Sequence, residues 1–323
     1  MKSAVFTAKR VVSCQEIDIP QKKQSEVLLR TLLSSICGSD LHVGYYGWSI
    51  DKFPLPPGFP GHESICEVVD GNGTNYDQGE LVLAVPVISE ARSFSEYQVI
   101  PERQLVRIEA NIPMQEILMA QQLGTVIFAS KNLPDLHKRS IVIIGQGSAG
   151  LFHTFMSKRL GADNIITVEP IGIRSRMSKR LGADISINSK EEEATKEIFE
   201  ITNYQGCDVV IDAVGSVETL NQAINVAKPN ALILLFGLPT TESKVLFDWS
   251  NVFKKNLNLK AIHGSQHEFG LPDFKLACDL INKKEIQVSD FVTHTFKIEE
   301  IQKAFELVES KEDGVIKTAL MFN

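Results

Sequence analysis

From residue 1 to about 107, apolar positions fall in short runs separated by turn residues, without the three-to-four spacing of long amphipathic helices. Runs at 27–33, 65–69, 81–85 and 97–100 predict strands, and Asp70-Gly-Asn-Gly73 and Asp77-Gln-Gly79 supply turns between some of them. Strands at that spacing predict a small β barrel or sandwich. A helical stretch over 113–130 then leads into a different rhythm. Apolar strands at 141–144, 165–168, 185–187, 208–212, 231–236 and 257–262 alternate with helical segments such as 191–201 and 217–227. That alternation predicts an α/β fold with a doubly wound parallel sheet. Beyond residue 263, helices near 272–282 and 298–309 flank a strand at 291–296, and 315–321 reads as a closing strand. A finished doubly wound sheet has no place for that last strand, so it is expected to return to the first region and make that domain discontinuous.

An exact internal repeat punctuates the α/β region: Ser157-Lys-Arg-Leu-Gly-Ala-Asp163 recurs as Ser178-Lys-Arg-Leu-Gly-Ala-Asp184. Each copy places two cations at a helix C-terminus, where the dipole favours them, and then a glycine suited to the left-handed cap. The repeat marks two successive βα units and carries no functional reading.

Composition narrows the function classes. The 323 residues suffice for two domains, and 43% hydrophobic with 23% charged residues is a globular balance. Lys+Arg 33 against Asp+Glu 40 gives a net charge of −7, which argues against nucleic acid or an anionic membrane as the main partner. The longest apolar run, 231–239, is too short to span a bilayer, and residues 1–12 contain no signal-peptide core. Five scattered cysteines suit a reducing, cytoplasmic setting better than a disulfide framework.

The first candidate site is the run Ile141-Val-Ile-Ile-Gly-Gln-Gly-Ser-Ala-Gly150, an apolar strand entering Gly-x-Gly-x-x-Gly and then a helix. Gly145 permits the tight turn, Gly147 lets backbone amides approach a pyrophosphate, and Gly150 lets the helix sit close to the strand. With Gln146, Ser148 and Ala149 these residues form a candidate dinucleotide loop, with phosphates at the helix N-terminus. Glu169, at the end of the next strand, is placed to accept hydrogen bonds from an adenosine ribose and favours NAD over NADP. Arg174 and Arg176 just downstream keep NADP open.

The second is Cys37-Gly-Ser-Asp-Leu-His42 together with Gly61-His-Glu63. A soft thiolate, an imidazole and a carboxylate brought together by a fold can hold Zn²⁺ and leave a coordination position open. Asp40 is placed to accept the second ring N–H of a ligating His62, which would fix the tautomer. Ser39 and His42 offer a proton path towards solvent. The segment 44–60, with Tyr45, Tyr46, Trp48, Phe53 and Phe59, either lines a substrate pocket or packs against a neighbour.

These two motifs and the glycine loop, in this order and spacing, resemble the zinc-dependent medium-chain dehydrogenase/reductases, and within them the sorbitol and threonine dehydrogenase-like branch. The resemblance covers nearly the whole chain. It implies a GroES-like catalytic domain from residues 1–122 and 263–323, with a Rossmann NAD-binding domain at 123–262. It also implies Cys37 and His62 as zinc ligands, Glu63 as a ligand or neighbour, Asp40 as the orienter of His62, Ser39 as acceptor of the alcohol proton and His42 as its onward carrier. Phe236, Gly237 and His263 fall where such proteins line the nicotinamide pocket. Two departures stand out. Gln121 occupies the position of a further Glu or Cys ligand, and a neutral amide is a weak one. The segment 85–94 runs through the region of a cysteine-rich lobe without a cysteine, so no structural zinc is expected.

The expected activity is reversible oxidation of a secondary alcohol, polyol- or sugar-like, with one catalytic zinc and NAD(H). The alternatives are a metal-free NAD(P)H reductase of the same fold, or a non-catalytic NAD(H)-binding protein with a decayed metal site. A homodimer or homotetramer is implied, with 231–236 or 257–262 as the sheet edge available for pairing.

Overall fold

The computed structural model describes all residues except 110, 190–192, 241, 313 and 323. The chain forms two compact units, Met1–Thr125 with Gly264–Asn323, and Val126–His263.

In the first unit, β1 (Lys2–Ala8) and β2 (Val11–Glu16) form an antiparallel pair. The long β3 (Glu26–Ile36) lies between β4 (Ser64–Asp70) and the strands that pair its other edge. β5 (Leu81–Ala84) and β7 (Leu105–Arg107) extend the sheet beyond β4, and β6 (Tyr97–Pro101) pairs with the first half of β3. Alternate residues Val27, Leu29 and Leu33 are buried with Cys66, Val68 and Val82, as a pleated strand with one apolar face requires. Two helical segments, Met114–Ile117 and Ala120–Ser130, close the first stretch.

The second unit is a six-stranded, wholly parallel sheet of β8 (Ser140–Ile144), β9 (Asn164–Val168), β10 (Ile185–Ile187), β11 (Cys207–Asp212), β12 (Ala227–Leu235) and β13 (Asn258–Ala261). Their order is β10-β9-β8-β11-β12-β13. The sheet reverses direction of growth between β8 and β11, and the ends of strands beside such a switch point are where open α/β sheets bind ligands. Isoleucines and valines of β8, β9 and β11 are buried, since both faces of a parallel sheet are covered. The expected helix at 191–201 begins outside the described residues; the described part is Ala194–Ile201. Both repeats end as their sequence requires, with Gly161 at φ +82° and Gly182 at φ +114°. Of the two alternative sheet edges, 231–236 is excluded because β12 is covered by β13, and β13 is an edge, with all four residues exposed.

The remaining strands, β14 (Val292–Lys297) and β15 (Lys317–Met321), belong to the first unit. β15 pairs antiparallel with β3, with Thr318 opposite Ile36 and Leu320 opposite Ser34. This register sets Lys317 beside Cys37. Helix Ile301–Ser310 packs Phe305 against Phe6, Phe94 and Tyr45, at ring separations of 5.2, 5.8 and 5.5 Å. Tyr45 is thus a core residue, only 2% exposed, and Tyr46, Phe53 and Phe59 pack on the same cluster. No helix among the described residues is long and apolar enough to cross a membrane.

Candidate metal centre and dinucleotide loop

The metal-type residues lie where β3 ends and β4 begins. Cys37 follows the last residue of β3 and precedes a single helical turn, Gly38–Asp40. Asp40 folds back so that its Oδ2 accepts the Cys37 N–H at 2.8 Å. This bond fixes the backbone that carries the thiol. His62 and Glu63 immediately precede β4, and the Ser35 N–H donates to the Glu63 carbonyl at 3.1 Å, so the β3–β4 ladder itself delivers the pair to Cys37. The ligand-type atoms of Cys37, His62 and Glu63 all lie within 4.8 Å of one another. His62 is 5% and Glu63 1% exposed.

His62 Nδ1 lies 3.1 Å from Asp40 Oδ1 and 3.2 Å from the Pro60 carbonyl. With Nδ1–H facing those acceptors, Nε2 is the nitrogen left for a metal, which would take the place of its proton. Burial lifts the Asp40 carboxyl, and the adjacent His62 pulls against it. Burial alone would depress His62, but Asp40 and Cys37 outweigh it and hold the imidazole well above its usual range. Glu63 is resisted by burial, yet Lys317 and then His62 keep its carboxyl below the ordinary value. Its Oε2 is taken twice, by Lys317 Nζ at 2.6 Å and by the Ser35 hydroxyl. Its Oε1 is buried with no hydrogen-bond partner. A buried carboxylate oxygen left unpaired is costly, and a cation beside Cys37 and His62 would satisfy it. The donor set fits zinc: one thiolate, one imidazole and one carboxylate.

Two further residues belong to this cluster and were missed in sequence. Gln122 Nε2 approaches Cys37 Sγ at 3.9 Å, and its Oε1 accepts from Lys317 Nζ at 3.5 Å. Gln121 is also buried, and its Nε2 has no partner. Lys317 had a visible signal, a single charge inside the apolar run at 315–321, but no local rule places it opposite Cys37. Burial works against its charge, and Glu63, Cys37 and Asp40 together keep its ammonium above the usual lysine range.

Ser39 sits half-buried on the turn after Cys37. His42 follows on a π-helical turn, Leu41–Tyr45, with its ring edge-on to Tyr46 at 6.0 Å. Burial, and secondarily Lys311, depress its pKa, which keeps the imidazole neutral and able to accept a proton. No direct hydrogen bond joins Ser39 and His42 among the described residues.

The second unit carries the glycine loop between β8 and helix Ser148–Arg159. Gly145 has φ +86°, and a side chain at Gly150 would bring its Cβ to 1.9 Å from the Gly145 carbonyl. Those two glycines answer internal demands. Gly147 does not: nothing lies within 4 Å of where its Cβ would stand. The room left there suits a ligand approaching the backbone amides at the helix N-terminus. Glu169, 3% exposed, accepts the Gln146 N–H at 2.6 Å through Oε2 and the Ile171 N–H at 3.0 Å through Oε1. Its first task is therefore to fasten the loop; each oxygen keeps a second lone pair. The Gln146 side chain turns inward, donating to the Gly145 carbonyl and accepting from Thr154 Oγ1. Arg174 is half-buried, and burial lowers its pKa against the pull of Glu169. Phe236 ends beside β12 with its ring edge-on to His153 at 4.6 Å. Gly237 leaves no space for a side chain, whose Cβ would meet the Val214 backbone at 2.4 Å. His263 closes the unit and is half-buried.

Residues 23–110 match the profile of the alcohol dehydrogenase GroES-like domain, and residues 149–283 that of the zinc-binding dehydrogenases. The L-threonine 3-dehydrogenase of Pyrococcus horikoshii is 28% identical to this chain, and that of Bacillus subtilis 26%; in each case the match covers 93% of both sequences. Among solved structures, the alcohol dehydrogenase TADH from Thermus sp. ATN1 covers all of both chains, with a TM-score of 0.84 at 24% identity. The 2R,3R-butanediol dehydrogenase from Bacillus subtilis gives 0.83 at 23%, covering 100% of this chain and 99% of its own.

Proposed function

Because this chain belongs to the medium-chain alcohol dehydrogenase family, we propose that it is a zinc-dependent oxidoreductase that interconverts a secondary alcohol and its ketone with NAD(H). The observation that carries the proposal is the buried Cys37–His62–Glu63 set, in which Glu63 Oε1 lacks a partner. Cys37 Sγ, His62 Nε2 and Glu63 Oε1 would hold the ion. When bound, zinc supplies Lewis-acid polarisation of the substrate oxygen and the nicotinamide supplies the hydride acceptor.

The chain's own residues handle the rest. Asp40 keeps the His62 ring in one tautomer and, through the Cys37 N–H, holds the thiol in place. Ser39 takes the hydroxyl proton and His42, neutral through burial, carries it outward. In the second unit the loop 145–150 holds the pyrophosphate, and Glu169 receives the adenosine ribose and disfavours a 2′-phosphate. Phe236, Gly237 and His263 would face the nicotinamide, and Arg174 the adenosine end. L-threonine, named for several relatives, and the butanediol of a structural neighbour are both secondary alcohols beside a second polar group. The same class, extended to polyols and sugar alcohols, is proposed for this chain. A homodimer or homotetramer pairing through the exposed β13 edge is proposed as the assembly.

Metal content of protein purified without added metal or chelator tests the reading. About one zinc per chain, lost in Cys37→Ala, with NAD⁺-dependent oxidation of L-threonine, vicinal diols or polyols, is the expected result. Protein that takes up no zinc when it is added back would overturn it, and Gln121 would then mark a site that no longer binds metal.

A further inference from the structure

One buried charge has no part in the chemistry just described. The side chains of Lys317 and Glu63 are each 2% exposed and lie 2.6 Å apart. The lysine opens a strand whose next three residues, Thr318, Ala319 and Leu320, are fully buried. Strand packing gives no reason for an ammonium there, and burying one is expensive without a partner. Its partners are the metal-type residues themselves: Glu63 directly, and Cys37 by way of Gln122. The two oxygens of Glu63 are also unequal. Lys317 and Ser35 both use Oε2, and Oε1 remains bare.

We propose that Lys317 is a resident counter-cation of the pocket, which competes with a divalent ion for the charge of Glu63; this rests on the metal-site reading above. Without metal, the ammonium is the positive charge in direct contact with the buried carboxylate, and it keeps that carboxylate paired. With metal at Oε1, two cations share one carboxylate, and their repulsion at short range in a poorly screening interior weakens the hold on the ion. The pocket therefore stays folded when empty and releases its metal readily, unlike sites whose folding depends on the metal.

The test uses the full chain stripped of metal, as wild type, Lys317→Met, Lys317→Arg and the double variant Glu63→Gln/Lys317→Met. Thermal unfolding is followed with and without Zn²⁺, and Zn²⁺ affinity is measured by competition with a chromogenic chelator. Lys317→Met should melt about 10 °C below wild type without metal, because it strands a buried carboxylate. Added Zn²⁺ should restore most of that loss, and the variant should bind Zn²⁺ at least about tenfold more tightly than wild type. Lys317→Arg should stay near wild type in both readings. The double variant should recover metal-free stability relative to Lys317→Met and lose the response to Zn²⁺. Lys317→Met binding Zn²⁺ no more tightly than wild type would overturn the proposal, as would a double variant no more stable than the single one. If Lys317→Met does not fold without metal, refolding in Zn²⁺ replaces the melt. Rescue there supports the proposal, and failure of both variants to fold with Zn²⁺ overturns it. Wild type that binds no Zn²⁺ at all defeats the functional reading alone. The counter-cation then stands if Lys317→Met gains a zinc site and falls if it does not.

Discussion

The glycine loop at 145–150 is assembled from consecutive residues and fastened by one carboxylate from the next strand, whereas the Cys37–His62–Glu63 pocket draws on β3, β4 and β15, with groups from Ser35 to Lys317. In the loop the polar contacts run through backbone amides, and the decisive side chains are absent ones. In the pocket the ligand-type groups and the Lys317–Glu63 pair are side chains, most of them buried. A site made of backbone tolerates little change of shape, while a site made of side chains tolerates little change of charge. Substitutions should separate the two.

The largest effect is expected from Cys37→Ala, which should remove zinc and reduce turnover by at least about a thousandfold, with NAD⁺ binding by fluorescence titration unchanged. Full activity in that variant would sink the mechanism. Gly150→Ala should do the converse. A Cβ 1.9 Å from the Gly145 carbonyl forces the loop apart, so NAD⁺ binding should be lost, with a stability cost of about 1–3 kcal/mol, while zinc content by elemental mass spectrometry stays at the wild-type level. Loss of zinc in Gly150→Ala would show that the sites do not fail independently.

A smaller change is expected from Glu169→Gln. Glutamine keeps one acceptor oxygen, so one of the two backbone hydrogen bonds is lost and the other loses its charge assistance, each such bond being worth about 1.5–3 kcal/mol. NAD⁺ affinity should weaken about tenfold or more, and discrimination against NADP⁺, measured as the ratio of kcat/KM values, should fall. An unchanged ratio would assign Glu169 to loop fastening alone.

The smallest effect lies outside both sites and serves as a control. Asp208, at the foot of β11, is opposed by burial but is held below the ordinary carboxylate pKa by Lys228 and by the Ser140 N–H and hydroxyl. Its folded pKa is lower than its unfolded one, so its contribution is present above the usual carboxylate range and is lost as pH falls through the depressed value. Asp208→Asn should cost about 1 kcal/mol at pH 7 in urea unfolding and progressively less as pH falls below the usual carboxylate range, leaving both ligand sites intact.

What could be read from sequence followed the same division. The strand–Gly-x-Gly-x-x-Gly–helix segment is local, and its turn, close approach and cap sit where the glycines indicated. The SKRLGAD repeats likewise end in left-handed glycines. The fold classes followed from periodicity, because parallel strands buried on both faces and half-buried antiparallel strands leave different patterns. The pocket's outer groups were not visible. Lys317 reaches Glu63 only through the β3–β15 register, and Gln122 reaches Cys37 only through tertiary packing. Tyr45 offered the opposite difficulty: an aromatic in a Gly/Pro-rich loop fits a pocket wall and a packing contact equally, and it stacks on Phe305 in the core. The edge strand was half legible, since two apolar runs looked alike until β13 covered β12.

The pairing of β15 with β3 also sets an order of events during synthesis. The parallel-sheet unit, Val126–His263, is continuous in the chain and can fold as soon as it clears the ribosome. The other unit must hold the second half of β3, Leu33 to Ile36, with an unpaired edge until residues near 317 emerge, and only then can Glu63 gain its ammonium partner. Nascent chains arrested before β15 should thus carry one folded unit and one open sheet edge, the kind of surface that recruits chaperones and invites aggregation.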